Sequence, residues 1–217
     1  MRSRAAILVF LCAASLVTAN PIQVALDRRA LEEAIAIGQS SIESERTRFH
    51  APYRVLVSRP PVDYLDIVTP FRRVVLVAEM RARLGDRRFG QAEALKVLDS
   101  GPMMIGVHVE LTFHPLNTYV GVPEYHVTLV SLAGNVVAPS TIDRVARFGP
   151  RMEGNRLPYP FSGSPPSPPG RSLPLLGATI VADFDAGRLD SNFVNDIVVS
   201  EAKKEIARVK MELGGLR

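Results

Sequence analysis

The segment at residues 108–126, HVELTFHPLNTYVGVPEYH, concentrates side chains that can bind a metal ion or transfer a proton. These are His108, Glu110, His114, Glu124 and His126, and the chain has only one further histidine. Zinc takes imidazole nitrogens and carboxylate oxygens as ligands, and a catalytic zinc site keeps one position open for water. A metal centre and the polar face of a sheet are therefore the two interpretations to compare.

Strand geometry reduces the number of candidate ligands. His108 and His114 are separated by about 20 Å along an extended strand, at roughly 3.3 Å per residue, so they cannot share one ion. The segment PLNTYVGVP predicts a hairpin that places His114 opposite Glu124 or His126, depending on register. Cross-strand Cβ atoms stand about 5 Å apart, which suits two ligands of one metal. The candidate zinc site is thus His114, Glu124 and His126, and no other cofactor is predicted.

The polar-face interpretation is the favoured one. No His-Glu-x-x-His spacing fixes the ligands in advance, and a short motif constrains little without its structural context. A sheet with one solvated face presents alternating polar residues in any case.

A run of aspartates near the C-terminus raises the question of calcium. Its members are Asp183, Asp185, Asp190 and Asp196. An EF-hand loop would need an oxygen ligand where Gly187 stands, a glycine where Arg188 stands and a final glutamate, and none is present. A polar turn after a strand is the favoured interpretation.

Arginines crowd one predicted helix and the turn after it. They are Arg72, Arg73, Arg81, Arg83, Arg87 and Arg88. Guanidinium groups suit anionic glycans and phosphates. Glu79 and Asp86 lie among them, which favours a solvated and partly paired helix face.

The N-terminus has the three parts of a secretory signal. Arg2 and Arg4 precede an apolar run at 5–17, and small residues follow it up to Ala19. We predict a signal peptide at 1–19, with a retained membrane anchor as the alternative, and no other membrane span. Cleavage removes Cys12, the one cysteine, which excludes disulfides and thiolate sites from the mature chain. Loss of both arginines lowers the formal net charge from +4 to +2, which does not favour a nucleic-acid partner.

Hydrophobic periodicity changes near Gly101. Before it, Leu31 and Ile35 lie on a helical stripe that ends near Gly38, and residues 40–50 predict a short helical turn. The segment YRVLVS predicts one isolated strand. In TPFRRVVLVAEMRARLG, a helix begins with Thr69 as cap and ends at Gly85, and a shorter helix follows at 90–101.

After Gly101 the period is two, which predicts half-buried antiparallel strands. They lie at 105–113, 125–130 and 177–184, followed by a tight hairpin through Lys203 and Lys204. We predict an α+β fold in which a mainly helical region, 20–100, precedes an antiparallel β-sandwich, 101–217. A proline-rich crossing at 157–174 interrupts the sandwich. The strand pattern resembles immunoglobulin-like or transthyretin-like sandwiches, a likeness of fold that implies no function.

The sequence favours a non-catalytic binding or structural module over an enzyme. It has no nucleophile elbow, phosphate-cradling loop or dinucleotide fingerprint. With the signal segment, this predicts a secreted or periplasmic module that binds a protein or an envelope component. The loops HPLNTYVGVP and PYPFSGSPPSPPG are its candidate contact surfaces. The alternative is a metal-dependent hydrolase that uses His114, Glu124 and His126.

Overall fold

The computed structural model describes residues 26–99, 103–114, 116–131, 134–149, 173–189, 194–212 and 216. The predicted signal peptide at 1–19 and nearly all of the predicted crossing at 157–174 lie outside the described residues.

Within these ranges the chain forms four α-helices and nine strands. The helices are α1 (Arg28–Gln39), α2 (Glu43–His50), α3 (Pro70–Arg83) and α4 (Gln91–Leu98). The strands are β1 (Arg54–Arg59), β2 (Val62–Val68), β3 (Met104–Thr112), β4 (Tyr125–Ser131), β5 (Val136–Val137), β6 (Thr141–Phe148), β7 (Leu175–Asp185), β8 (Val194–Glu201) and β9 (Lys204–Glu212). In this part of the chain, every helix is too short or too polar to cross a bilayer.

The strands form two antiparallel sheets, which confirms the predicted α+β sandwich. Sheet A has the order β1-β2-β3-β7-β6, and sheet B has the order β5-β4-β8-β9. The predicted tight hairpin is β8 with β9, in which Glu201 pairs with Lys204.

The predicted alternation of apolar residues forms the core between the sheets. Sheet A contributes residues such as Val107, Ile180 and Phe184, and sheet B contributes Val127 and Ile197. Each of these side chains is almost completely buried. The polar residues that alternate with them therefore lie on the outer faces of the sandwich.

The helices form a layer with an apolar core of its own. The Thr69 hydroxyl accepts a hydrogen bond from the Arg72 amide, so α3 begins where the sequence predicts. The helix packs closely on α1, and its buried residues Phe71, Val74, Val75 and Ala78 join the core of the helical layer. Phe49 contacts both cores, because its ring lies 5.2 Å from that of Tyr53 and 5.9 Å from that of Phe71.

The prediction that YRVLVS forms an isolated strand is wrong. It is β1, which pairs with β2, and β2 pairs in turn with β3. The apolar alternation of β2 is irregular because both of its pairings shift register near Val62. The first 100 residues thus supply two strands of sheet A as well as the helices.

Part of β4 has no neighbouring strand on one side. Strand β5 pairs only with Leu129 and Val130, and the described residues place no strand beside the earlier part of β4 on that side. There the Arg144 side chain on β6 donates a 2.9 Å hydrogen bond to the Tyr125 carbonyl oxygen. An arginine side chain therefore occupies one main-chain acceptor on this strand edge.

The close approach of α1 to α3 predicts that Gly38→Ala destabilises the fold. A Cβ at this position would lie 2.5 Å from the Val75 carbonyl oxygen and 2.6 Å from the Ala78 Cβ. We expect a loss of about 1–3 kcal/mol in the free energy of unfolding, measured by urea denaturation. Gly121→Ala is the matched control, because a Cβ there meets nothing within 4 Å. Equal stability of the two variants would contradict this packing.

Candidate functional site

The predicted hairpin at residues 108–126 is wrong, because its two strands belong to different sheets. Strand β3 lies in sheet A and β4 in sheet B, where His126 pairs with Ser200. The connecting segment crosses the end of the sandwich. It joins two buried rings, Phe113 and Tyr125, whose centroids are 6.3 Å apart. A short turn and an inter-sheet crossing have similar compositions, so the sequence does not separate them.

The structure brings together two of the three predicted zinc ligands. His126 Nε2 lies 3.5 Å from Glu124 Oε1, and both side chains are well exposed. His114 is also exposed, and its Nδ1 accepts a 3.2 Å hydrogen bond from the Leu116 amide. Among the residues that the structure describes, no group of three or more His, Cys, Asp or Glu side chains is arranged to hold a metal ion. The zinc site stays a prediction.

The segment between the sheets is held by one asparagine. Asn117 Nδ2 donates to the Leu175 carbonyl oxygen at 2.9 Å and to the His114 carbonyl oxygen at 2.7 Å. Its Oδ1 accepts a 3.0 Å bond from the Tyr119 amide, and the Tyr119 ring packs edge-on against Phe113. The backbone of this segment is therefore fixed to sheet A.

This fixed segment exposes large apolar side chains. Val120 is 97% exposed, Leu116 is 74% exposed and Tyr119 is 43% exposed. Phe148 and Leu173 are also exposed at this end of sheet A, where Phe148 pairs with Leu175. We call Leu116, Tyr119, Val120, Phe148 and Leu173 the apolar end. Exposed apolar residues that gather at one end of a sheet are candidates for contact with a partner.

A second cluster of functional interest lies where the helices meet sheet A, and it centres on a buried arginine. The Arg72 side chain is 2% exposed, and its Nη1 donates to Asp66 Oδ1 at 2.6 Å and to the Ile67 carbonyl oxygen. Its Nε donates to His50 Nδ1 at 3.3 Å, and its guanidinium lies 4.8 Å from the Tyr53 ring centroid. Arg72 thus joins α3 to β2 and to the end of α2.

His50 is held as a neutral imidazole within this cluster. Because Nδ1 accepts from Arg72, the proton belongs on Nε2, which donates to Glu79 Oε2 at 3.1 Å. Burial lowers the pKa of His50, and the charge of Arg72 lowers it further against the opposing effect of Glu79. Both ring nitrogens are engaged, so His50 is not placed to act as a general base.

Glu79 completes the cluster as a shared acceptor. Its carboxylate forms ion pairs with Arg46 Nε at 3.2 Å and with Arg83 Nη2 at 2.6 Å. It also accepts the hydrogen bond from His50. Burial opposes its charge, but the hydrogen bond from His50 and the charge of Arg83 hold the pKa of Glu79 below its usual value. The carboxylate therefore stays ionised although its side chain is only 11% exposed.

His108 lies beside this cluster on the outer face of sheet A, where it pairs across strands with Asp66. Burial lowers its pKa, and the nearby charges of Asp66 and Asp183 oppose that shift. Glu110, the other residue excluded from the zinc prediction, contacts Arg147 and accepts a 2.7 Å hydrogen bond from the Thr179 hydroxyl. Both His108 and Glu110 therefore interact with neighbouring side chains on the outer face of sheet A.

The described aspartates of the calcium motif have separate partners. Asp183 contacts Arg73, Asp185 accepts from the Gly187 amide, and Asp196 contacts Arg208. Asp190 lies outside the described residues.

The arginines predicted on and after α3 also lie in different surroundings. Arg72 is buried, whereas Arg81 pairs with Asp86 at the surface.

Sequence reasoning did not identify the cluster around Arg72. It depends on contacts of Arg72 and Glu79 with His50, which lies 22 and 29 residues away from them in the chain. One local signal was present. Asp66 and Arg72 flank the helix start at Thr69 and Pro70, which places a strand-end carboxylate close to the first turn of a helix.

No protein-family model matches this chain, and the searches found no curated protein or solved structure that matches it.

Loss of Arg72 should destabilise the protein far more than loss of its neighbour. Arg72→Met leaves Asp66 and His50 without their buried partner, and we expect a loss of about 3 kcal/mol or more in the free energy of unfolding. Arg73→Met removes a half-exposed pair with Asp183 at 3.7 Å, which is worth about 1 kcal/mol at most. Chemical denaturation of both variants checks this, and similar losses would contradict the central role of Arg72.

The lowered pKa of His50 predicts acid sensitivity. The unfolded chain binds a proton on this histidine near pH 6.5, whereas the folded chain binds it only at lower pH. The free energy of unfolding should therefore fall as the pH drops below about 6.5, until the folded state is also protonated. His108 contributes with the same sign, and Glu79 contributes only at lower pH.

His50→Gln should reduce this pH dependence, because an amide can accept from Arg72 and donate to Glu79 without titrating. His114→Gln is the control, since that exposed side chain takes no part in the cluster. Denaturation curves between about pH 5 and pH 7 provide the measurement. An unchanged slope in His50→Gln would refute the role assigned to His50.

Proposed function

We propose that the chain is a non-catalytic binding module of the periplasm or cell envelope, and that it holds a protein or another envelope component at its apolar end. The observation that carries this proposal is the exposure of Leu116 and Val120 in a segment that Asn117 ties to sheet A. A rigid loop loses little conformational entropy on binding, so the burial of its side chains contributes more fully to affinity. Burial of a leucine or valine side chain is worth about 1.5–3 kcal/mol.

Export is the second part of the proposal, and the signal pattern at residues 1–19 supports it. A strand-rich module without cysteine after cleavage does not depend on the redox state of its compartment. A loop that a rigid pair of sheets holds in place is a common carrier of binding residues, which fits a contact surface at the end of the sandwich.

The alternative of a metal-dependent hydrolase has less support. A catalytic zinc site generally uses three protein ligands, and the contact between Glu124 and His126 supplies two. The apolar side chains between His114 and Glu124 are suited to contact with a partner.

The proposal predicts that two substitutions at the apolar end weaken binding strongly without unfolding the protein. We expect Leu116→Ser with Val120→Ser to lower the retention of envelope-extract components on the immobilised protein by about tenfold or more. The matched control is Leu56→Ser with Val136→Ser, which changes the same residue types at exposed positions on β1 and β5.

Quantitative mass spectrometry of the retained components gives the measurement, and thermal melting confirms that both variants fold. The proposal fails if the wild-type protein retains no component reproducibly. It fails equally if the two double variants retain the same amounts.

A further inference from the structure

A cavity of about 490 Å³ opens beside the cluster around Arg72, remote in sequence from the apolar end. Its walls come from α2, α3, β1 and β2. Pockets that hold small molecules span about 300–1,000 Å³, so the cavity has room for a small organic ligand. Its lining combines apolar side chains with several converging charged groups.

Positive charge is in excess on the cavity wall. The lining cations are Arg46, Arg54, Arg72 and Arg83, and the lining anions are Glu43, Asp66 and Glu79. With His50 neutral, this is four positive charges against three negative ones. A cleft between low-dielectric walls concentrates the field of such an excess.

The carboxylates that contact these arginines are shared between them. Asp66 contacts Arg72 at 2.6 Å and Arg54 at 3.4 Å. Glu79 contacts both Arg46 and Arg83. Each of these two carboxylates is shared by two guanidinium groups, and with Glu43 counted as well, one positive charge on the wall remains unbalanced.

Two of the lining guanidinium groups, those of Arg46 and Arg54, are also held in place by contacts besides their ion pairs. Arg46 is fixed by Glu79 and by the Ser40 carbonyl oxygen, and Arg54 lies 4.4 Å above the Tyr64 ring centroid. The side chains of Arg54 and Arg83 remain 50% and 72% exposed. A guanidinium carries five N–H donors, and the observed ion pairs of Arg54 and Arg83 each use one nitrogen. Donors that are already oriented bind an anion at a smaller entropic cost.

From this arrangement we propose that the cavity is a binding site for a tetrahedral oxyanion group, phosphate or sulfate, carried by a small molecule. Arg46 and Arg83, which share Glu79, supply one candidate set of donors, Arg54 beside Asp66 supplies another, and buried Arg72 adds positive charge between them. Guanidinium groups match the oxygens of such anions in geometry and charge. Glu43 opposes binding, because it lines the cavity and carries negative charge.

Titration of the full chain with inorganic phosphate, and separately with inorganic sulfate, tests the site. Isothermal calorimetry is run against sodium chloride at equal ionic strength, because general screening would act in both salts. We expect saturable binding of at least one oxyanion, and the comparison of the two arms identifies the preferred group. The NMR signals of the His50 ring should respond, because a bound anion offsets the nearby charge of Arg72.

Variants of the lining separate a specific site from weak surface binding. Arg54→Gln and Arg83→Gln should each weaken binding about tenfold, as expected for a lost charge-assisted hydrogen bond. Glu43→Gln should tighten it about two- to fivefold, because it removes a like charge from the cavity wall. Arg81→Gln is the control, since Arg81 lies on the same helix but outside the cavity lining.

The inference is overturned if neither oxyanion binds beyond the chloride control. It is also overturned if Arg54→Gln, Arg83→Gln and Arg81→Gln bind with equal affinity. Tighter binding by Glu43→Gln supports the site in a way that mere loss of folding could not imitate.

Discussion

The buried guanidinium of Arg72 is the constraint around which the helical layer and sheet A are arranged. An unpaired charge at this depth would be costly, so the fold supplies it with a carboxylate, a carbonyl oxygen and an imidazole nitrogen. These partners come from β2 and from the end of α2, whereas Arg72 itself belongs to α3. Satisfying one side chain thus fixes the position of two helices on sheet A. The apolar packing of Phe49 between the two cores reinforces the same junction.

This junction also explains why charged side chains converge at one place. Asp66 and Glu79 each accept from more than one cation, so partners accumulate around the two acceptors. The cavity lined by residues of α2, α3, β1 and β2 lies at the same junction. The binding surface proposed at the apolar end lies instead where the chain crosses between the sheets. The residues that hold the helices on sheet A are therefore different from those proposed to contact a protein or envelope component.

The sequence predicts correctly those elements that depend on residues close together in the chain. The cap at Thr69, the proline after it and the alternation along β3 each depend on neighbouring residues, and each is confirmed. The pairing of β1 was not readable, because the bulge near Val62 disrupts the alternation of β2. The sheet to which β4 belongs could not be predicted from the sequence either. A loop of the same composition can form a hairpin within one sheet or a crossing to the other sheet. The contacts of His50 join residues that are distant in the chain, and no local pattern indicates them.

The hydrogen bond from the Arg144 guanidinium to the Tyr125 carbonyl oxygen bears on association between molecules at high protein concentration. A strand edge with free main-chain groups recruits strands from other molecules, which leads to aggregation. Because β5 covers only two residues of β4, the start of β4 would be such a template. A charged side chain that occupies one of its acceptors, and that carries a hydration shell, discourages a second chain from docking there. The hydrogen bond from Arg144 thus occupies a main-chain acceptor that a strand of a second molecule would otherwise use.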